Sequence, residues 1–204
     1  MLINSGSSTI PLIKTRRFFM ENNNLPTSPN KARNITLVAI VAAIYAAITF
    51  VIQPIAFGPV QLRVSEGLNH LAAWNKRYII SLGIGVLIAN LVSPLGWIDW
   101  IFGTLGTVIM TGVTYLLTRR VTQPIIKILI STFVVATLGM AILAAEFTFA
   151  FNIGAHGASP SGAKGGLLAQ WGAYYVSLVP GEVVSLIIGG IVVYALSKII
   201  NLER

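Results

Sequence analysis

Long apolar stretches alternate with short polar connectors along this chain. By hydropathy the stretches run at about 35–53, 62–75, 78–93, 98–117, 125–150 and 167–197. Most approach the ~20 residues that an α-helix needs to cross a bilayer. The expected fold is therefore all-α: an integral membrane bundle of six transmembrane helices. The second and third stretches are short, and the sixth is long enough to tilt or to project beyond the bilayer.

The connectors hold most of the positive charge, and this predicts an orientation. Cytoplasmic loops carry an excess of Lys and Arg. With the N-terminus inside, the inner connectors hold nine cations: Lys31, Arg33, Lys76, Arg77, Arg119, Arg120, Lys127, Lys198 and Arg204. The outer connectors hold two, Arg63 and Lys164. Both termini of a multi-pass cell-membrane protein are thus expected in the cytoplasm. Residues 34–204 form the expected membrane domain, and residues 1–33 a disordered cytoplasmic tail. That tail lacks the apolar run of a secretory signal. Met20 opens a stretch, ENNNLPTSPNKAR, that reads as a natural N-terminus, so residues 1–19 are expected to lie outside the native frame.

Composition supports the membrane assignment. Apolar residues make up 55% of the chain and charged residues 10%, against about a quarter charged in a soluble domain. The net charge of +8 belongs to topology rather than to nucleic-acid binding, since no basic stripe with interleaved aromatics occurs. There is no cysteine, which excludes disulfides, thiolate catalysis and Cys-based metal sites.

Acidic residues break the pattern. Glu66, Asp99, Glu146 and Glu182 lie within or at the ends of apolar stretches, where a carboxylate costs roughly 2.5–3.5 kcal/mol near the bilayer centre. In the predicted orientation all four reach the outer half of the membrane from four different helices, as an outward-facing binding pocket requires. Arg63 stands three residues before Glu66 and could pair with it locally. Glu146 and Glu182 have no cation within a helical turn.

Several other patterns bear on chemistry. Ala39, Ala43 and Ala47, with Ala42 and Ala46, give the first helix a nearly flat face suited to close helix packing, either inside the bundle or against a partner. Glu66, Asn69 and His70 share a helical face. Neither His70 nor His156 has a partner at metal-ligand spacing, so no metal or other cofactor is expected. Trp97 and Trp100, at the tight outer turn Ser93-Pro94-Leu95-Gly96-Trp97, are interface anchors or a stacking surface for a flat ligand. The Gly/Ser-rich loop 152–166 is either a lid or a plain connector. Pro180-Gly181 is expected to interrupt the sixth helix beside Glu182. No phosphate-binding loop, H-E-x-x-H or G-x-S-x-G motif occurs, so neither ATP hydrolysis nor an enzyme is expected. No internal repeat of the secondary-carrier kind is visible.

Three blocks carry a family resemblance: LRVSEGL (62–68), LIANLVSPLGWIDWIFGTLGT (87–107) and GEVVSLIIGGIVVYAL (181–196). They resemble the QueT family, substrate-binding subunits (S components) of energy-coupling factor (ECF) transporters assigned to queuosine precursors. The resemblance covers most of 35–198. It implies an S-component-like fold with Glu66, Asn90, Asp99 and Glu182 on motif positions and Glu146 as the fifth-helix acid. Asn69 and Trp97 complete the expected substrate set. It also implies docking of the Ala39/Ala43/Ala47 face on a transmembrane coupling protein with two ATPases. The chemistry fits: a 7-deazaguanine presents adjacent N–H donors that one carboxylate can accept together, and an aminomethyl group would need a second acid. Another small cationic vitamin, thiamin- or pyridoxine-like, and a stand-alone cation-coupled carrier remain the alternatives.

Overall fold

A computed structural model describes residues 29–57, 62–153 and 165–203. Residues 1–28 of the expected tail and 154–164 of the Gly/Ser-rich loop lie outside the described residues. The chain divides into two compact units, Met1–Asn34 and Ile35–Arg204. The described elements are all helical: α1 (Pro29–Val51), a short α2 (Gln53–Ala56), a 3₁₀ helix (Val64–Ala73) and α3 (Arg77–Asn90) come first. A π turn (Asp99–Gly103) leads into α4 (Thr104–Thr118), and a second π turn (Val135–Gly139) joins α5 (Pro124–Val134) to α6 (Met140–Asn152). The last is α7 (Leu167–Ile199).

The element borders follow the hydropathy closely, with four corrections. First, the first helix begins at Pro29 rather than near residue 35. Second, among the described residues four helical stretches, not six, are long and apolar enough to cross a membrane: Lys31–Val51, Asp99–Thr118, Pro124–Asn152 and Leu167–Ile199. The expected third span is the 14-residue α3, about 21 Å at 1.5 Å per residue against a hydrocarbon core of about 30 Å. Third, the expected second span is a ten-residue 3₁₀ helix, about 20 Å long. Fourth, α7 runs unbroken through Pro180 for 33 residues. Proline is tolerated there because neighbouring helices can satisfy the carbonyl it frees.

The residue distribution is that of a membrane protein. Large aliphatic side chains such as Ile80, Ile84, Leu129, Val176 and Ile191 face outward, while Thr, Ser, Asn and acidic residues are buried. On α4, Thr107, Thr111, Thr114 and Thr118 point inward, and each hydroxyl donates to the carbonyl four residues earlier at 2.5–2.9 Å. Such back-bonding lets hydroxyls pack in a dry interior without orphaned donors.

The 3₁₀ helix packs most extensively on α7, and glycine makes that contact possible. A β-carbon on Gly67 would lie 2.6 Å from Gly189 Cα and 2.8 Å from Ser185 O. Ser185 and Gly189, four residues apart on α7, form the small-residue groove that receives the 3₁₀ backbone at Gly67. Because 3₁₀ side chains at i and i+3 eclipse, Arg63, Glu66 and Asn69 fall in one row. His70 belongs to the next row and bonds to Leu186 O at 3.0 Å, so it packs on α7 instead of sharing a face with Glu66.

Candidate substrate site

Every predicted acid is buried, and the acids come from four elements. Glu66 lies on the 3₁₀ helix, Asp99 at the head of the first π turn, Glu146 on α6 and Glu182 on α7. Each is at most 6% exposed. The turn before Asp99 is closed by Gly96 at φ 60°, a left-handed conformation that glycine adopts without strain. Ser93 Oγ accepts from Leu95 N at 3.2 Å and donates to Asp99 Oδ2.

The acids differ in how well they are held. Glu66 Oε1 accepts from Tyr45 Oη at 2.6 Å, and Glu66 Oε2 accepts from Asn69 Nδ2. Asn90 Nδ2 ties Asp99 through its carbonyl at 2.9 Å. Glu146, by contrast, has no hydrogen-bond partner on either oxygen among the described residues, and Asp99 Oδ1, Glu182 Oε1, Asn69 Oδ1 and Asn90 Oδ1 are likewise unmet. Buried acceptors without donors are costly. Several around one point mark a place prepared for donors from elsewhere. Glu146 stands within electrostatic reach of Asp99 and Arg63, and Glu182 within reach of Glu66 and Arg63.

A cavity opens among these groups. Arg63, Glu66 and Glu146 form its polar side, and Phe102, Thr107 and Met110 line the rest with Gly103, Gly106 and Gly139. About 330 Å³ of empty space lies among them, part of it open to the outside, and only about 30 Å³ can take the centre of a water molecule. A β-carbon on Gly103 would lie 2.6 Å from Asn90 Nδ2 and 3.9 Å from Glu146 Oε2, so glycine is what keeps this wall open. Both π turns supply wall residues, and π turns are frequent at functional sites.

Glu66 and Glu146 thus line the cavity, while Asp99, Asn69, Asn90 and Glu182 do not; Asp99 is joined to it by Arg63, Asn69 by Glu66, and Asn90 by its place against Gly103. Trp97 is 53% exposed and is not brought to the cluster; the ring at the cavity is Phe102, which pairs with Phe149 at 5.7 Å. On α1, Ala39, Ala43 and Ala47 face outward, whereas Ala42 and Ala46 are buried beside Tyr45. Sequence reasoning missed Tyr45, Ser93, Phe102, Thr107 and Met110. Of these, Tyr45 carried a signal, as a single hydroxyl-bearing ring in an alanine-rich helix. Arg63 was visible only as a local partner of Glu66.

The cluster lies wholly within residues 35–198, the stretch matched by the family model described as QueT transporter. The chain belongs to the QueT transporter family. It is therefore a multi-pass membrane transport protein and not an enzyme. A similar family member is the "Queuosine precursor transporter QueT" of Lactococcus lactis subsp. cremoris (strain MG1363), 32% identical over 183 residues, covering 86% of this chain and 98% of that relative. No solved structure matches the chain. The blocks that carry this QueT family's resemblance bring Glu66, Asn90, Asp99 and Glu182 to the cluster from well-separated parts of the chain.

Proposed function

We propose that this chain is the substrate-binding S component of an ECF importer and that it takes up a queuosine precursor of the 7-deazaguanine type. The observation that carries this is the near end-to-end similarity to a relative named for that transport. The set of buried acceptors lacking donors supports it, because a guanine-type base offers adjacent N–H donors to such a set. Glu66, Asp99, Glu146 and Glu182 accept from the ligand, assisted by Asn69 and Asn90. Trp97 stacks on the ligand only if the turn carrying it moves. The 3₁₀ helix and α3 complete six membrane-crossing elements despite their length, and the cation asymmetry puts both termini in the cytoplasm. Labelling of a cysteine at Ser197 from the inner side only would agree with that orientation, and labelling from outside would reverse it. The outward face of Ala39, Ala43 and Ala47 docks on the transmembrane coupling protein, beneath which two ATPases supply the energy that this chain has no motif to provide.

Calorimetric titration of the purified chain with 7-deazaguanines, guanine, thiamin and pyridoxine tests the substrate. Binding restricted to deazaguanines is expected. Binding of a vitamin alone would keep the S-component assignment and change the substrate.

A further inference from the structure

Among the acids sits one cation with few bonds of its own. Arg63 is 5% exposed. Its Nη1 lies 3.9 Å from Glu66 Oε1 and its Nη2 3.6 Å from Asp99 Oδ2. Charge-assisted N–H···O bonds normally close to about 2.7–2.9 Å, so the guanidinium stands between two carboxylates and is hydrogen-bonded to neither. Its Nη2 makes no hydrogen bond among the described residues. The rest of its anchorage is a long bond from Nε to Ala56 O at 3.4 Å and a seat over the Phe57 ring at 4.7 Å.

The neighbours are fixed far better. Glu66 is held from two sides by Tyr45 and Asn69, and Asp99 by Ser93. The guanidinium also lines the cavity, and the about 30 Å³ of free room there is far too little for a flat bicyclic ring. Sites for small molecules usually measure about 300–1,000 Å³. Something must therefore leave when a ligand enters. Arg63 is the charged wall group that combines a single long hydrogen bond with a long side chain able to swing as a unit.

We propose that Arg63 is a tethered occupant of the substrate site, its guanidinium filling the donor position between Glu66 and Asp99 until a ligand with the same donor pattern takes its place. This rests on the guanine-type substrate proposed above. The 2-amino-pyrimidinone edge of such a base contains a guanidine unit, N–C(NH₂)–NH, so ligand and side chain offer the same planar set of donors. The empty site thereby keeps its acids compensated inside the membrane, where an unpaired charge is costly. Binding then exchanges one planar set of N–H donors for another, and the positive charge that leaves with Arg63 is replaced by a cationic substituent on the ligand or by a proton taken up by the acids. The observed affinity is the intrinsic affinity scaled down by the fraction of molecules whose acids are free.

The test uses the full chain in detergent, with Arg63→Met, which keeps length without donors, and Arg63→Lys, which keeps charge without the planar fork. Guanidinium at millimolar concentration should raise the melting temperature of R63M and compete with its binding of 7-deazaguanine. The same ion should do neither to the unsubstituted chain, and ammonium at equal ionic strength should do neither to R63M. R63M should bind 7-deazaguanine roughly three- to tenfold more tightly than the unsubstituted chain. A folded R63M that binds tenfold more weakly, or ignores guanidinium, would overturn the proposal. Should R63M not fold, R63K decides: binding equal to or tighter than the unsubstituted chain supports the occupant role, and a tenfold loss removes it. Failure of the unsubstituted chain to bind any deazaguanine would refute the substrate instead, and the response of R63M to guanidinium would still settle the role of Arg63.

Discussion

Glu66 and Glu146 show how two identical side chains in one cavity take on different work. Glu66 is part of the scaffold, since Tyr45 and Asn69 both spend their donors on it. Glu146 is buried with no donor bonded to either oxygen among the described residues, and its polar neighbours are the Asp99 carboxyl and the Arg63 guanidinium, a poor offset for its desolvation. A side chain kept under those terms is expected to trade stability for binding. Glu146→Gln should leave thermal stability unchanged or raised, and should weaken the ligand by about 1–3 kcal/mol, roughly five- to a hundredfold, because the amide nitrogen would oppose a ligand donor. Glu66→Gln should lower both, because the new amide nitrogen must oppose the donor of either Tyr45 or Asn69. Paired thermal unfolding and titration of the two variants would show it, and equal behaviour of both would remove the distinction.

At the scale of elements, three departures from α geometry converge on the cavity: the 3₁₀ helix and the two π turns. The 3₁₀ helix is held against α7 by the Gly67–Gly189 contact, where each backbone occupies the space of the other's missing side chain. Gly67→Ala should therefore force the two apart, costing about 1–3 kcal/mol or more by overpacking, and should weaken ligand binding as Glu66 moves with its helix. Gly172 lies in α7 with nothing near its would-be β-carbon. Gly172→Ala should stabilise by about 0.4–1 kcal/mol by restricting the unfolded chain. Melting curves of the two variants in the same detergent give the contrast, and similar shifts would mean that the close contact is not tight in solution. At the far end of the same elements, the last residues fold back: Asn75 Nδ2 donates to Glu203 O at 2.7 Å and Arg77 Nη2 to Leu202 O at 3.1 Å. Lys127 meets Glu203 at 2.8 Å while lying 5.4 Å over the Trp74 ring.

For the whole molecule the question is what the outer faces meet. Most of that surface is bulky and aliphatic, as contact with lipid chains requires. The Ala39/Ala43/Ala47 stripe differs, since its small side chains let another helix approach closely. Its exposure separates it from the buried Ala42 and Ala46, so a bulky residue there should not disturb the interior. Ala43→Trp is expected to bind ligand normally as an isolated chain yet fail to assemble with a coupling module and fail to support ATP-driven uptake into vesicles. Co-purification and vesicle uptake measure this, and a variant that loses ligand binding along with its fold would show that the face packs internally.

The sequence by itself determined the helices and where they stop, because a bilayer requires each crossing segment to satisfy its own backbone and to be apolar for most of its length. It also marked Glu66, Asp99, Glu146 and Glu182, since an acid among apolar neighbours is conspicuous without coordinates. The local winding of those helices was not legible. Hydropathy looks alike whether a segment coils as 3₁₀, α or π, and the choice at 64–73 depends on Gly67 meeting Gly189 more than a hundred residues away. Trp97 illustrates the same limit: two residues along a helix turn a side chain by about 200°, so Trp97 points outward while Asp99 points in. Only the packed structure could decide which acid is held, which is left open, and that Arg63 stands between them, because hydrogen-bond satisfaction belongs to pairs of atoms and not to positions along a chain.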